Sequence, residues 1–270
     1  MKRILTALLV LMLFGCAGGA SNNNTDDNTL RIGMECNYAP FNWTQVEASD
    51  TALPISSVDF CDGYDVQIAR MIGEAIGREV SIVKLDWDSL IPALDNGQID
   101  LVIAGMTDTP ERRESVDFTT PYYESQMVVV VRGDSELTSV TDIQQLSGYK
   151  VLGQINTTYD EIIDQINGVE HLTPLATYPR MVLSLQSGEA DALTAELPVA
   201  VGVVSANPDL AIVYFDEGHG FDVDTSVSIA VKKGNTDLLN SVQSALDGID
   251  EDARLQLMLD ATNRQPAVEE

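Results

Sequence analysis

The sequence predicts an α/β protein of two lobes with a cleft between them. Two observations carry this: a β-α-β-α-β series in the N-terminal half, and a second series that starts after a strand near residue 127 and ends before a return strand near 226. With 270 residues the chain is long enough for two ordinary domains, each with a core. Leu30 to Cys36 opens the first series as a strand. Tyr64 to Gly77 follows as a helix, with Ile68, Ile72, Ala75 and Ile76 on one face and Gly77 as its stop. Val80 to Leu85 is a strand and Ser89 to Asn96 a short helix capped by Gly97. Asp100 to Ala104 is an apolar strand of the buried parallel kind.

Met127 to Arg132 is the apolar strand that precedes the second series. That series reads as strand Lys150 to Gly153, helix Thr158 to Ile166, strand around His171, helix Pro179 to Gln186, strand Asp191 to Ala195, helix Pro198 to Ala206 and strand Leu210 to Phe215. Ser226 to Val231 returns as a strand, and helices Thr236 to Gly248 and Glu251 to Ala261 follow. Two α/β units joined by two extended connections describe a hinge, with residues 30–124 and 225–262 in one lobe, 125–224 in the other and 263–270 as a tail. Ligand sites in such units form where loops at strand C-termini converge. Thr44 to Asp62 is irregular, a long hairpin or a lid.

Charge narrows the partners. Fifteen Lys and Arg against 42 Asp and Glu give a net charge of −27, so the basic footprint of a nucleic-acid binder is lacking. An acidic surface serves solubility and also attracts cations.

Lys2 and Arg3 precede an apolar run from Ile4 to Phe14, which reads as an export signal over residues 1–15. That run is too short for a membrane-spanning helix, which needs roughly 20 apolar residues. Leu13-Phe14-Gly15-Cys16 resembles the lipobox of bacterial lipoproteins, with Phe14 a departure from the usual small residue. The resemblance implies acylation of Cys16, and the Gly-, Ser-, Asn- and Asp-rich residues 16–29 read as a flexible tether off the outer face of a membrane. Cys36 and Cys61 remain, either bridged or as two buried thiols. The two histidines, His171 and His219, stand apart from any cysteine, so no zinc spacing exists and no metal or cofactor is expected. A P-loop, a nucleotide fingerprint and a nucleophile elbow are likewise missing from the sequence.

Three segments carry a family resemblance. They are Arg31-Ile-Gly-Met-Glu-Cys-Asn-Tyr-Ala-Pro-Phe41, then Gly63-Tyr-Asp-Val66, and then Trp87-Asp-Ser-Leu-Ile-Pro-Ala-Leu-Asp-Asn-Gly-Gln-Ile-Asp100, which continues through Ala104-Gly-Met-Thr-Asp-Thr-Pro-Glu-Arg112 to Val116-Asp-Phe-Thr and Pro121-Tyr-Tyr-Glu-Ser. Over Leu30 to Ala261 the chain resembles the polar amino-acid family of extracytoplasmic solute-binding proteins (family 3) that feed ABC importers. The resemblance implies a type II periplasmic-binding-protein fold, a monomer, an amino-acid ligand and a permease partner.

A zwitterionic ligand needs a cation for its carboxylate, and Arg meets a carboxylate bidentately. Arg112 is that candidate; its alternative is a surface ion pair with Glu111 or Glu114. Carried over from the family, Gly105 offers its carbonyl and Thr107 its hydroxyl and N–H to the head group. Glu196 takes the family's Asp position as partner of the ammonium; its alternative is a charge at the N-terminus of the helix that contains Pro198. Gln154-Ile-Asn-Thr-Thr158 aligns with a loop that is usually Gly-Thr. Asn156 replaces the Gly and tolerates the left-handed conformation, while Thr157 and Thr158 offer donors to the carboxylate. Glu35, Tyr38 and Trp87 match side-chain pocket positions, with the two rings placed to flank an elongated cation, worth about 0.5 to 2 kcal/mol.

Together these residues favour Lys, Arg, ornithine or His. Glutamine or another polar amino acid is the runner-up, because a carboxylate also accepts from an amide. An enzyme of the cyclohexadienyl dehydratase kind is built on the same fold, but it would need a cationic pocket for two carboxylates where the sequence offers Arg112 alone.

Overall fold

The computed structural model describes residues 28–266. The export segment, Cys16 and the tether up to residue 27 lie outside the described residues, as do residues 267–270. Strand β1 (Thr29–Met34) starts the fold one residue inside the expected tether, because Thr29 already pairs with Glu79. Three short strands follow, β2 (Asn37–Tyr38), β3 (Asn42–Gln45) and β4 (Leu53–Pro54), and then β5 (Phe60–Asp62). Helix α1 (Tyr64–Ile76) ends at Gly77, whose φ of 72° is the left-handed C-cap a side chain would strain. Strand β6 (Glu79–Lys84), helix α2 (Leu90–Asp95), strand β7 (Leu101–Val102), the single turn α3 (Arg112–Ser115) and strand β8 (Val116–Tyr123) complete this run. A five-stranded sheet in the order β6-β1-β7-β14-β8 results, where β14 (Val227–Lys232) is the return strand. Arg31 grips Asp100 with two side-chain hydrogen bonds of 3.1 and 2.8 Å, which pins β1 beside the entry to β7.

The second sheet has the order β11-β10-β12-β9-β13. Its strands are β9 (Met127–Arg132), β10 (Lys150–Leu152), β11 (Glu170–His171), β12 (Ala192–Glu196) and β13 (Leu210–Val213). Helices α4 (Thr158–Glu161), α5 (Tyr178–Ser187) and α6 (Leu197–Ala206) flank it. Helices α7 (Thr236–Asp247) and α8 (Glu251–Arg264) follow β14, and α8 runs two residues into the expected tail before Gln265 and Pro266 leave helical geometry. A cluster of buried side chains runs from Leu30 and Ile32 through Tyr38 and Phe41 to Tyr178 and Val199, so the two lobes share one core at their junction.

Several elements differ from the sequence reading. Thr44 to Asp62 is the hairpin alternative, paired as β2-β3-β5-β4 and tied to β1 by a disulfide between Cys36 and Cys61. β8 has Thr119, Thr120 and Pro121 in mid-strand, which looks like a loop in sequence; pairing with β14 overrides that local signal. The helix expected over Thr158 to Ile166 is α4 followed by a 3₁₀ turn at Ile162–Gln165. No described helix is long and apolar enough to cross a membrane.

Candidate functional site

Each parallel strand delivers its C-terminal loop to the cleft, as α/β sheets do. From the first sheet, the end of β1 brings Glu35 and Tyr38, the end of β6 brings Trp87, and the end of β7 brings Gly105 and Thr107. From the second sheet, the end of β10 brings Gln154, Thr157 and Thr158. With Arg112, these nine residues line one cavity, joined by Ala104 and Tyr159. The tenth expected residue, Glu196, does not line it. It is fully buried at the end of β12, behind Tyr38 and Tyr159, whose hydroxyls both donate to its carboxylate. Although Glu196 is the N-cap residue of α6, its side chain makes no capping bond.

The cavity holds about 20 Å³, room for about one water. It shares Trp87, Arg112, Thr157 and Thr158 as a wall with an outer chamber of about 590 Å³. Direct contacts between the lobes close the inner space. Gln154 Nε2 donates to both Glu35 oxygens, and the Trp87 indole N–H donates to the Asn156 carbonyl at 3.0 Å. A ligand larger than a water can occupy the inner cavity only when these contacts part.

Arg112 lies with its guanidinium 5.3 Å from the Trp87 ring centre, donates to Thr107 O at 2.7 Å and reaches Asn156 O at 3.4 Å. Both acceptors are neutral carbonyls. Arg112 forms no ion pair among the described residues, so the expected alternative with Glu111 or Glu114 is not formed. Glu35 is likewise buried with no cation paired to it among the described residues, and burial pushes its carboxyl up to about 7. Burial pushes Glu196 to about 8, against the opposing effect of its two tyrosine donors.

Some expected roles shift. The Thr157 hydroxyl caps α4, donating to Gln154 O at 2.7 Å and accepting from Asp160 N, which leaves the Thr158 hydroxyl as the side-chain donor from this loop. Asn156 has a φ of 59°, the left-handed geometry its position requires. Tyr38 stacks on Phe41 at 5.4 Å and meets Tyr178 edge-on, which holds its ring from behind, and it lines the cavity together with Trp87.

Tyr159 and a buried network beneath Gly105 are absent from the expected set. There Asp65 accepts from Tyr122 Oη at 2.6 Å and Asn42 Nδ2 at 2.7 Å, while the Gly105 N–H donates to Tyr122 Oη at 2.9 Å. Gly105 adopts a φ of 60°, and a Cβ there would press on the Tyr38 ring at 3.3 Å. The sequence signal for this network is Gly63-Tyr-Asp65, whose Asp reads as helix N-terminal charge until the fold places it under β7.

A two-lobe body built on two five-stranded sheets, with its polar residues gathered at strand ends in one interlobe cleft, is the architecture of a solute-binding protein. Residues 30–261 match the family described as bacterial extracellular solute-binding proteins, family 3, and the chain belongs to that family. A probable histidine-binding protein of Campylobacter jejuni is 32% identical over 82% of this chain and 85% of its own. A putative ABC transporter arginine-binding protein 2 of Escherichia coli is 30% identical over 93% of this chain and 95% of its own. Among solved structures, the amino acid ABC transporter substrate-binding protein AbpA of Streptococcus pneumoniae, bound to L-arginine, aligns with a TM-score of 0.77 at 26% identity, covering 91% of this chain and 98% of its own. The family is one of extracellular solute-binding proteins, and the Escherichia coli and Streptococcus pneumoniae relatives are named as binding proteins of ABC transporters.

Proposed function

We propose that this chain is the substrate-binding lipoprotein of an amino-acid ABC importer, capturing a basic L-amino acid such as Lys, Arg, ornithine or His and delivering it to the permease. The observation that carries the reading is charge placement: one cavity is lined by Arg112, a cation with no ion-pair partner among the described residues, and by Glu35, a buried carboxyl with no cation paired to it among them. A ligand with a carboxylate at one end and a cation at the other satisfies both at once, and each buried charge gains the partner that burial otherwise makes costly to lack. Relatives named for arginine and histidine support the same class.

A second reading, glutamine, rests on the contact already present: Gln154 shows an amide donating to Glu35, at 3.2 and 3.3 Å. Cys16, outside the described residues, is assigned as the acylated anchor that holds the monomer at the outer membrane face. Loss of acyl-chain labelling in Cys16→Ser is the expected result.

The ligand is tested by calorimetry and thermal shift with the common amino acids plus ornithine, on protein refolded from denaturant to strip carried ligand. A ligand at about 100 times its Kd adds roughly 2.7 kcal/mol of stability. Shifts confined to basic amino acids, abolished in a folded Arg112→Ala protein, are expected. A response to glutamine alone selects the second reading, and unchanged affinity in Arg112→Ala overturns the site.

A further inference from the structure

Asn156 sits where both lobes meet at the wall between the inner cavity and the outer chamber. Its carbonyl accepts from the Trp87 indole N–H at 3.0 Å and from Arg112 Nη2 at 3.4 Å. Its side-chain amide donates to Asp88 Oδ1 at 2.7 Å. All three partners belong to the β6–α3 part of the first lobe, and Asn156 belongs to the β10–α4 loop of the second, 69, 44 and 68 residues away in sequence. The carbonyl can face this way because Asn156 is left-handed, with a φ of 59°, one of two such non-glycine residues described. Its neighbour Thr157 holds the loop by capping α4.

From this convergence we infer that Asn156 is a positioning residue for ligand capture: on closure it fixes the Trp87 indole and the Arg112 guanidinium through one carbonyl, while its amide latches onto Asp88. The two halves of the residue have separable work. The backbone carbonyl orients the groups that meet the ligand. The side chain adds a bond to the Asp88 side chain that exists only when the lobes are together, so it acts on how long the closed form lasts. Opening must break that bond before ligand leaves, whereas entry into the open cleft does not involve it. The latch therefore acts on dissociation more than on association. Asp88 also lies in the wall of the outer chamber with Glu161 of the second lobe.

The inference rests on the amino-acid-binding reading, and the experiment separates the two. Asn156→Gly keeps the left-handed backbone and the carbonyl and removes only the amide, and Asp88→Ala removes the acceptor. Stopped-flow binding of the amino acid identified by the panel is expected to show dissociation faster by about threefold to tenfold in each, the worth of one such bond. Association should be nearly unchanged, and the double variant no worse than either single one. Asn156→Ala, which strains the left-handed backbone, should lose more than Asn156→Gly.

Independently of any ligand, small-angle scattering of Asn156→Gly should show a larger radius of gyration than the parent, and the Trp87 emission should shift to the red. Unchanged dissociation, or effects that add in the double variant, overturn the latch even where Arg112→Ala abolishes binding. If no amino acid binds, the reading of the ligand fails, and the scattering and emission comparison still decides the latch. A parent and an Asn156→Gly protein of identical dimensions and emission would sink it.

Discussion

Gln154 and Glu35, 119 residues apart in sequence, meet in the cleft with the Gln154 amide nitrogen 3.2 and 3.3 Å from the two Glu35 carboxylate oxygens. The amide of one lobe thus stands against the carboxylate of the other, where the proposed basic ligand would place its distal cation. Gln154 also donates to Ala176 O at 3.1 Å, which fixes its head group and keeps the contact specific.

Replacing Glu35 with Gln therefore removes the charge while keeping the shape. A hydrogen bond to a charged group is worth about 1.5–3 kcal/mol, so Glu35→Gln should weaken a basic amino acid by roughly 10- to 100-fold. Glutamine, whose amide can pair with a Gln side chain, should change by less than about threefold. Calorimetry of both ligands against both proteins checks this; equal losses would make Glu35 a structural carboxylate.

Glu35, Asp65 and Glu196 are all held above the ordinary carboxylate range by burial, at about 7, about 7 and about 8. Between those values and the unfolded ones near 4 to 4.5, the folded protein keeps protons that the unfolded chain has released. Stability from these groups is thus fully present at low pH and is lost as pH rises through 7 and 8. The ligand-free protein should melt at a higher temperature at pH 5.5 than at pH 8, with a flatter slope in Glu196→Gln. A basic ligand favours the ionised forms, so its affinity should rise from pH 6 to pH 8 by up to about tenfold per unit for each proton released. Thermal scans and calorimetry across that range decide both signs.

The disulfide between Cys36 and Cys61 closes a loop with a sequence separation of 25. It joins the residue next to Glu35 to the small four-stranded sheet, and the Cys36 N–H donates to the buried Asn42 side chain at 2.7 Å. Loop-closure entropy for this length is worth about 3 kcal/mol, and a double change to Ser should lower Tm by several degrees in a chain of this size. Ligand affinity should fall too, because Glu35 loses a fixed neighbour. A melting curve insensitive to reductant would show that the bridge contributes little.

The order of the main strands and helices is legible in sequence because each pattern is local: Ile68 and Ile72 repeat at helical spacing, and Leu101 to Ile103 form an apolar run. β8 is not, because it is held by β14, more than 100 residues on in sequence, and the separate strands of the β2–β5 sheet are not, because runs this short carry no periodic pattern of their own and are tied down by a disulfide. The site shows the same division. Arg112 can be picked out before folding from the chemistry of a carboxylate partner, and Trp87 from the family resemblance. Tyr159 carries no signal beyond its position after Thr158, and its role depends on Glu196, 37 residues on, being brought to its hydroxyl. Asp65 gains its role only when the sheet places Tyr122 and Gly105 above it.

Glu196 sharpens that point into a prediction. The sequence marks it as the anion for the ligand's ammonium, yet its carboxylate is fully buried and faces the hydroxyls of Tyr38 and Tyr159, both of which line the cavity. A phenol that donates its proton to a carboxylate keeps its oxygen lone pairs free, and the donation makes that oxygen a better acceptor. On the proposed amino-acid reading, the ammonium would meet the two tyrosine oxygens, with Glu196 behind them. On this geometry Tyr159→Phe and Glu196→Gln interrupt the same path. Each should weaken ligand by about threefold to tenfold, and the double variant should be little worse than either. If the ammonium instead reached Glu196 directly, Glu196→Gln would cost on the order of 100-fold while Tyr159→Phe cost almost nothing, since only the first removes a charge in contact. A double-mutant cycle read by calorimetry at pH 8 separates the two arrangements.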